Sequence, residues 1–120
     1  MEFNQYNTTV QQWIHTVLEN RETNADVVLE CCRDIIAYGR ETDDPKLMGF
    51  GFFYGGEIYY ELNDGAHFFH MMTEALTYLD RAEEWELVVR CYNFLGIASM
   101  SRGNPSLALD YYMNGLKDSD

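Results

Sequence analysis

His67, His70 and Glu74 are the residues of this sequence whose types and spacing come nearest to a metal site. Residues three and four apart share one face of a helix, and two imidazoles with a carboxylate are common zinc ligands. No second group of ligands accompanies them, and Phe68 and Phe69, which separate the histidines, favour a helix packed into a core. The sequence therefore predicts no metal and no cofactor.

Four glycines form a second pattern with chemical potential. Gly49-x-Gly51 followed by Gly55-Gly56 is rich enough in glycine for a phosphate-binding loop. These residues lie inside a helical pattern, however, and Tyr54 stands where a dinucleotide-binding loop would need its third glycine. Close packing between helices is the better interpretation, although each glycine in a helix costs about 1 kcal/mol relative to alanine.

No nucleophile with a convincing base beside it is present in the sequence. Cys31, Cys32 and Cys91 are interpreted as buried, reduced thiols. Glu57 and Glu61 lie four residues apart on one helical face, but a chain this acidic supplies many such pairs by chance. We therefore expect a protein that is not an enzyme.

Net charge and hydropathy limit the kinds of partner and the cellular location that we expect for the chain. The 120 residues include 20 acidic and 8 basic side chains, which give a formal net charge of −12. A nucleic-acid partner is not expected, because no basic stripe is available to replace phosphate counterions. The first 20 residues lack the basic start and apolar run of a signal peptide, and no later run is long enough to span a bilayer. We expect a cytoplasmic protein with no membrane contact.

The stretch from Tyr92 to Leu116 predicts two helices joined by a tight turn. Apolar residues recur at helical spacing on both sides of Gly103-Asn104-Pro105. Glycine suits the residue after a helix, asparagine caps the next helix, and proline fits its first turn. Similar punctuation elsewhere predicts three helical hairpins, at about residues 3–40, 44–82 and 84–117.

Self-comparison supports internal repetition. A shift of 40 residues sets Gly56 on Gly96, Phe68 on Ala108 and Leu76 on Leu116. A second shift of the same length aligns only the apolar positions of the first hairpin.

The third hairpin resembles a tetratricopeptide repeat (TPR). The residues that carry the resemblance are a Leu-Gly pair in the first helix, the Gly-Asn turn, and an alanine and an aromatic in the second helix: Leu95, Gly96, Gly103, Asn104, Ala108 and Tyr112. The resemblance implies an all-α fold, a right-handed α-α superhelix of three hairpins with the first helices on its concave side. The repeat length here exceeds the family's usual length of about 34 residues, so we expect lengthened helices.

The resemblance also implies which residues face a partner. In the second hairpin these are Phe50, Phe53, Glu57, Tyr60 and Glu61, and in the third hairpin Arg90, Asn93, Ile97, Met100 and Ser101. Family members that clamp a carboxylate use Lys, Arg and Asn at such positions, whereas this chain offers only Arg90 and Asn93 beside two glutamates. The predicted partner is a protein or peptide, in particular a basic or amphipathic helix. Each aromatic ring could instead belong to the core.

Residues 45–118, with their ELND and SRGNPSLALDYY turns, also resemble the N-terminal repeat regions of bacterial signalling proteins that end in a GGDEF diguanylate cyclase domain. That resemblance implies a sensory or interaction module that controls a downstream output domain. We expect the chain to be the N-terminal piece of a longer protein, or else to form a homodimer through its last helix. A peptide-sensing bacterial regulator and a free-standing adaptor remain alternatives.

Overall fold

The computed structural model describes residues 1–118, and within that range the chain is entirely helical, with no strand. This confirms the all-α fold class. The six helices are α1 (Thr8–Asn20), α2 (Ala25–Glu41), α3 (Pro45–Glu61), α4 (Gly65–Arg81), α5 (Trp85–Ser101) and α6 (Pro105–Asp118).

Short polar turns place the starts of the later helices. Asn24, Asp44, Asp64 and Asn104 each accept a hydrogen bond from the backbone N–H three residues ahead. Such a cap satisfies one of the free N–H groups of the first helical turn. Gly103 has a φ of 77°, the left-handed conformation that glycine adopts without strain. The turn chemistry predicted from the sequence is therefore present at these four helix starts, whereas α5 follows Glu84 without a side-chain cap.

The first helix differs from its prediction. It begins at Thr8 rather than near residue 3. The side chain of Asn7 accepts a hydrogen bond from the N–H of Val10 at 2.9 Å, which fixes the start of the helix there. Residues 1–7, the N-terminal segment, lie outside any helix and pack against α3 through Phe3.

Helix α3 is the centre of the core. Every residue from Leu47 to Ile58 is buried, because α2 and α4 pack against it and the N-terminal segment contacts it through Phe3. Its glycines allow this close approach: a Cβ at Gly49 would lie 2.6 Å from Leu79, and one at Gly51 would lie 2.6 Å from Ile36. The packing interpretation of the glycine pattern is confirmed.

Each helix packs chiefly on its neighbours in chain order. In the third hairpin the ring of Tyr112 covers Gly96, where a Cβ would lie 2.6 Å from the ring, and Tyr92 lies over Gly115. Close contact of α5 with α6 thus depends on small residues opposite tyrosines. None of the helices in residues 1–118 combines the length and the apolar character needed to cross a bilayer.

Candidate binding face of α1, α3 and α5

A cluster of three charged side chains connects the odd-numbered helices. Glu57 of α3 receives two hydrogen bonds from Arg21, at the C-terminal end of α1, with N···O distances of 2.8 and 2.7 Å. Arg90 of α5 reaches the same carboxylate at 3.4 Å. The cluster identifies a continuous side of the molecule, which we call the α1–α3–α5 face.

The geometry and burial of the cluster make it a structural tie. The Glu57 side chain is only 12% exposed, while those of Arg21 and Arg90 are 29% and 36% exposed. Burial acts to lower the pKa of the Arg21 guanidinium, but the hydrogen bond and charge of Glu57 outweigh it, and the pKa lies above its ordinary value. Arg21 therefore stays charged, and Arg90 retains donors for another acceptor.

Aromatic rings lie beneath both arginines. The guanidinium carbon of Arg21 lies 5.0 Å from the centroid of the Tyr54 ring, and that of Arg90 lies 4.9 Å from the Phe53 ring. Cations over aromatic faces at this distance gain about 0.5–1 kcal/mol when exposed and more when desolvated. Each arginine is thus held against the core by a ring as well as by Glu57.

Of the predicted partner-facing residues, the structure encloses Phe50, Phe53 and Glu57, and Phe50 is only 1% exposed. Phe53 is fully buried, with its ring 6.0 Å from that of Phe94. Glu57 is covered by its two arginines. In this arrangement all three residues are in the interior, below the surface that a partner would contact.

Tyr60 and Glu61 lie at the C-terminal end of α3. Tyr60 is partly buried, with its ring 5.4 Å from the rings of both Phe68 and Phe94, and Glu61 is exposed. Tyr60 therefore presents one edge of an aromatic cluster to the surface.

On α5, four of the predicted residues form one row, and the fifth, Met100, is also exposed. Arg90 is partly exposed, and Asn93, Ile97 and Ser101 are exposed at successive helical turns. The side chain of Ile97 is an exposed apolar group, with 43% of the residue accessible. These four residues, with Tyr60 and Glu61, remain available at the surface.

A cleft of about 530 Å³ lies on one side of the charged cluster. Its charged lining consists of Arg21 with Glu22, Glu57 and Glu61. Since Glu57 neutralises Arg21, the two remaining carboxylates leave the cleft net negative. Such a lining favours a cationic side chain over an anionic one.

A smaller cleft, of about 180 Å³, lies beside the N-terminal segment. Its apolar lining includes Phe3, Leu18, Phe50, Tyr54 and Leu87, and its charged side chains are Glu84, Glu86 and Arg90. It joins all three odd-numbered helices, and two of its three charged side chains are carboxylates.

The sequence did not indicate two parts of this face. Arg21 lies in the polar run Glu19–Thr23, which marks only a helix end in the sequence. The N-terminal segment was assigned to the first helix, although Phe3 and Tyr6 are large aromatics within a polar stretch. Phe3 and Tyr6 continue the helical spacing of Val10, Trp13 and Val17, so the pattern gave no signal that this segment lies outside the helix.

The thiols and histidines lie elsewhere. Burial raises the pKa of Cys91 to about 12 and raises that of Cys32 still further, so neither thiol forms a nucleophilic thiolate near neutral pH. His67 contacts Asp64 at 2.8 Å and stacks on Tyr59, and His70 is exposed beside Phe52. Within residues 1–118, no group of three or more His, Cys, Asp or Glu side chains is placed to hold a metal ion.

Comparisons of the chain with models of protein families, with curated proteins and with solved structures find no match.

Proposed function

We propose that the chain is a non-catalytic interaction module of the TPR type, and that its α1–α3–α5 face binds a segment of another protein. The observation that carries the proposal is the surface row of Arg90, Asn93, Ile97 and Ser101 next to Tyr60. An exposed isoleucine and a tyrosine edge can act as apolar anchors, while the amide, hydroxyl and guanidinium groups accept or donate hydrogen bonds.

The fold proposal rests on the order of helix packing. Helices that contact chiefly their neighbours in the chain, with three hairpins joined by short turns, are what a stack of helical repeats requires. In the proposed right-handed superhelix, α1, α3 and α5 form the concave side. The charged cluster would then tie the three hairpins together across that side.

The acidic linings of the two clefts support a basic or amphipathic partner. Glu22 and Glu61 belong to one cleft, and Glu84 and Glu86 to the other. In this model a partner inserts apolar side chains and places lysine or arginine near the carboxylates. Binding is expected to weaken as salt is raised, because charges near the surface are screened.

The resemblance of residues 45–118 to GGDEF-linked repeats supports a regulatory use of such binding. In that role, the bound segment changes the dimerisation or orientation of a diguanylate cyclase output domain in a bacterial signalling protein, within the cytoplasm. Tyr60→Ala and Asn93→Ala separate this role from peptide sensing. Loss of binding to a free peptide with unchanged self-association would favour the peptide-sensing role.

Selection of peptides from a displayed library on the immobilised chain tests the binding proposal. We expect enriched peptides to combine an aromatic or aliphatic anchor with basic residues, and Ile97→Asp to weaken their binding about tenfold or more. Leu109→Asp, on the exposed part of α6, is the matched control and should leave binding unchanged. If Leu109→Asp abolishes binding while Ile97→Asp does not, the partner binds at α6 and the proposed face is wrong.

A further inference from the structure

The N-terminal segment fills part of the α1–α3–α5 face with an aromatic side chain. The ring of Phe3 lies 5.2 Å from that of Phe50, at an interplanar angle of 77°. Phe50 is 1% exposed and forms part of the core. Phe3 and Phe50 line the small cleft together with Leu18, Tyr54 and Leu87, and we call this the Phe3 site.

Lys46 contacts the N-terminal segment through its ammonium group. Its ammonium nitrogen lies 5.0 Å from the centroid of the Phe3 ring and 6.0 Å from that of Tyr6, and it donates a hydrogen bond to the backbone carbonyl of Glu2. The same ammonium group lies 4.0 Å from the carboxylate of Glu84. One side chain thus contacts both aromatic rings and the backbone of the segment.

Tyr6 supplies a second anchor. Its hydroxyl donates a hydrogen bond of 2.8 Å to Asp44, the residue that caps α3. Burial, together with the neighbouring Asp44 carboxylate, raises the pKa of Tyr6, so the hydroxyl remains a donor throughout the physiological range. The two carboxylate oxygens of Asp44 therefore serve the helix cap and the segment separately.

These contacts resemble those of a bound peptide more than those of a core element. The segment has no regular secondary structure. One hydrogen bond within it runs from the Tyr6 N–H to the Phe3 carbonyl, and the side chain of Gln11 in α1 donates a hydrogen bond to the Tyr6 carbonyl. Side-chain anchors and a few contacts to main-chain carbonyls are typical of peptide recognition. Such a segment can leave the face without unfolding α3.

The net charge of the chain indicates which occupant the Phe3 site prefers. Glu84 and Glu86 line the cleft with Arg90, Lys46 lies 4.0 Å from Glu84, and the chain as a whole carries a formal charge of −12. The segment itself brings a further acidic residue, Glu2, to this acidic surface. A segment with lysine in place of Glu2 would be attracted electrostatically to the acidic chain, whereas Glu2 is repelled by it.

We propose that the Phe3 site is a docking site for a partner segment that carries a phenylalanine flanked by basic residues, and that residues 1–7 are its competing intramolecular occupant. This inference rests on the proposed function, because it assigns the site that anchors the partner on the α1–α3–α5 face and the segment that controls access to that site. The partner binds only when the N-terminal segment has left, so the strength of the Phe3 contacts sets the apparent affinity.

The test uses the full chain and three synthetic heptapeptides. The first peptide has the sequence of residues 1–7, MEFNQYN, the second carries Glu2→Lys, and the third carries both Glu2→Lys and Phe3→Ala. Each is titrated into the unaltered chain and into the Phe3→Ala chain, and binding is followed by calorimetry. We expect the second peptide to bind the Phe3→Ala chain about tenfold or more tightly than the unaltered chain, and the third peptide to lose that binding.

A second variant keeps the proposal testable if the Phe3→Ala chain misfolds. Tyr6→Phe keeps the ring but removes the hydrogen bond to Asp44. We expect the Tyr6→Phe chain to bind the second peptide with an affinity between those of the other two chains. The first peptide should bind more weakly than the second, and raising the salt concentration should reduce that difference.

Each opposite result overturns a defined part of the proposal. Equal affinity of the second peptide for all three folded chains, or no binding to any of them, would show that Phe3 does not occupy a docking site. Equal affinity of the first and second peptides for the Phe3→Ala chain would overturn the preference for a basic segment. If peptides selected from the library depend on Ile97 while the heptapeptides do not bind, the proposed function stands and this inference fails.

Discussion

The second and third hairpins carry equivalent residues, yet they bury them very differently. Phe53 and Asn93 occupy the same position in the 40-residue repeat, and so do Leu76 and Leu116. Phe53 is fully buried and Leu76 partly so, whereas Asn93 is exposed and Leu116 is 64% exposed. The difference comes from what lies beside each hairpin.

The second hairpin has packed neighbours on both sides, because α2 contacts α3 and α5 contacts α4. Within the described chain, the third hairpin has such a neighbour only on the side of α4. Side chains in α6 that would meet a following helix are therefore exposed: Leu109, Met113 and Leu116. Burial of a helical hairpin here depends on its packed neighbours as well as on the local pattern.

The largest expected effect concerns Phe53. Phe53→Ala should lower the free energy of unfolding by about 3–5 kcal/mol, because it removes a fully buried ring from the centre of the core. Leu109→Ala in α6 is the matched control and should change stability by about 0.5 kcal/mol or less. Urea unfolding of the two variants measures both values. Equal losses would mean that α6 is as enclosed as α3.

Substitution of Ala108 tests, at a single repeat position, whether the second and third hairpins differ in interhelical space. The equivalent residue in α4 is Phe68, so that position accommodates a large ring in the second hairpin. Ala108 is 1% exposed, and Ala108→Leu should overpack the interface of α5 with α6 and lower the unfolding free energy by about 1–3 kcal/mol. A thermal unfolding midpoint equal to that of the unaltered chain would show that the two hairpins have the same interhelical space.

The charged cluster gives the next effect. Glu57→Gln removes the counterion of Arg21 and Arg90 while preserving shape, and should lower the unfolding free energy by about 1–2 kcal/mol, since both arginines keep some contact with water. Glu61→Gln, four residues further along the same helix and exposed, should change it by about 0.5 kcal/mol or less. Denaturation at low and high salt measures both. Similar losses for the two variants would argue against the cluster as a tie between the hairpins.

The smallest effect is a difference in acid sensitivity between helix caps. The backbone N–H of His67, followed by contacts with its side chain, holds the pKa of Asp64 below its ordinary value. The stabilisation of α4 is therefore complete above the unfolded-state pKa of about 3.9 and is lost as pH falls through the lower folded-state pKa. Asn104, which caps α6, does not titrate in this range.

Observation of the carboxyl carbon of Asp64 by NMR during an acid titration measures this shift. Asp64→Asn preserves an acceptor at the cap and should remove the part of the acid dependence of unfolding that Asp64 contributes. A midpoint for Asp64 at or above its ordinary value would contradict the assigned cap.

The sequence predicted the elements of this fold better than their environment. Caps and turn residues such as Asp44, Asp64 and Gly103 act locally, and their positions in the sequence therefore predicted the starts of the helices. The burial of Phe53 and Glu57 depends on α1, α5 and the N-terminal segment, which are distant along the chain. Helical periodicity cannot distinguish a side chain that faces a partner from one that faces another part of the same protein.

The side chains of the α1–α3–α5 face were predicted only in part for the same reason. The positions on α5 follow from helical spacing and remain at the surface. The Arg21 contact and the Phe3 site arise from side chains that meet across more than 30 positions of sequence, as the separations of Arg21 from Glu57 and of Tyr6 from Asp44 illustrate. Nothing in the local pattern specifies such pairs.

Amide hydrogen exchange of the unaltered chain tests most directly whether the α1–α3–α5 face can open to a partner. The Tyr6 amide, which donates to the Phe3 carbonyl, reports on the N-terminal segment, and the Tyr54 amide reports on the centre of α3. The account predicts that Tyr6 exchanges much faster than Tyr54, by local opening that leaves α3 folded. If Tyr6 exchanges only as slowly as Tyr54, the segment is an integral part of the core, and the face proposed for binding does not become free.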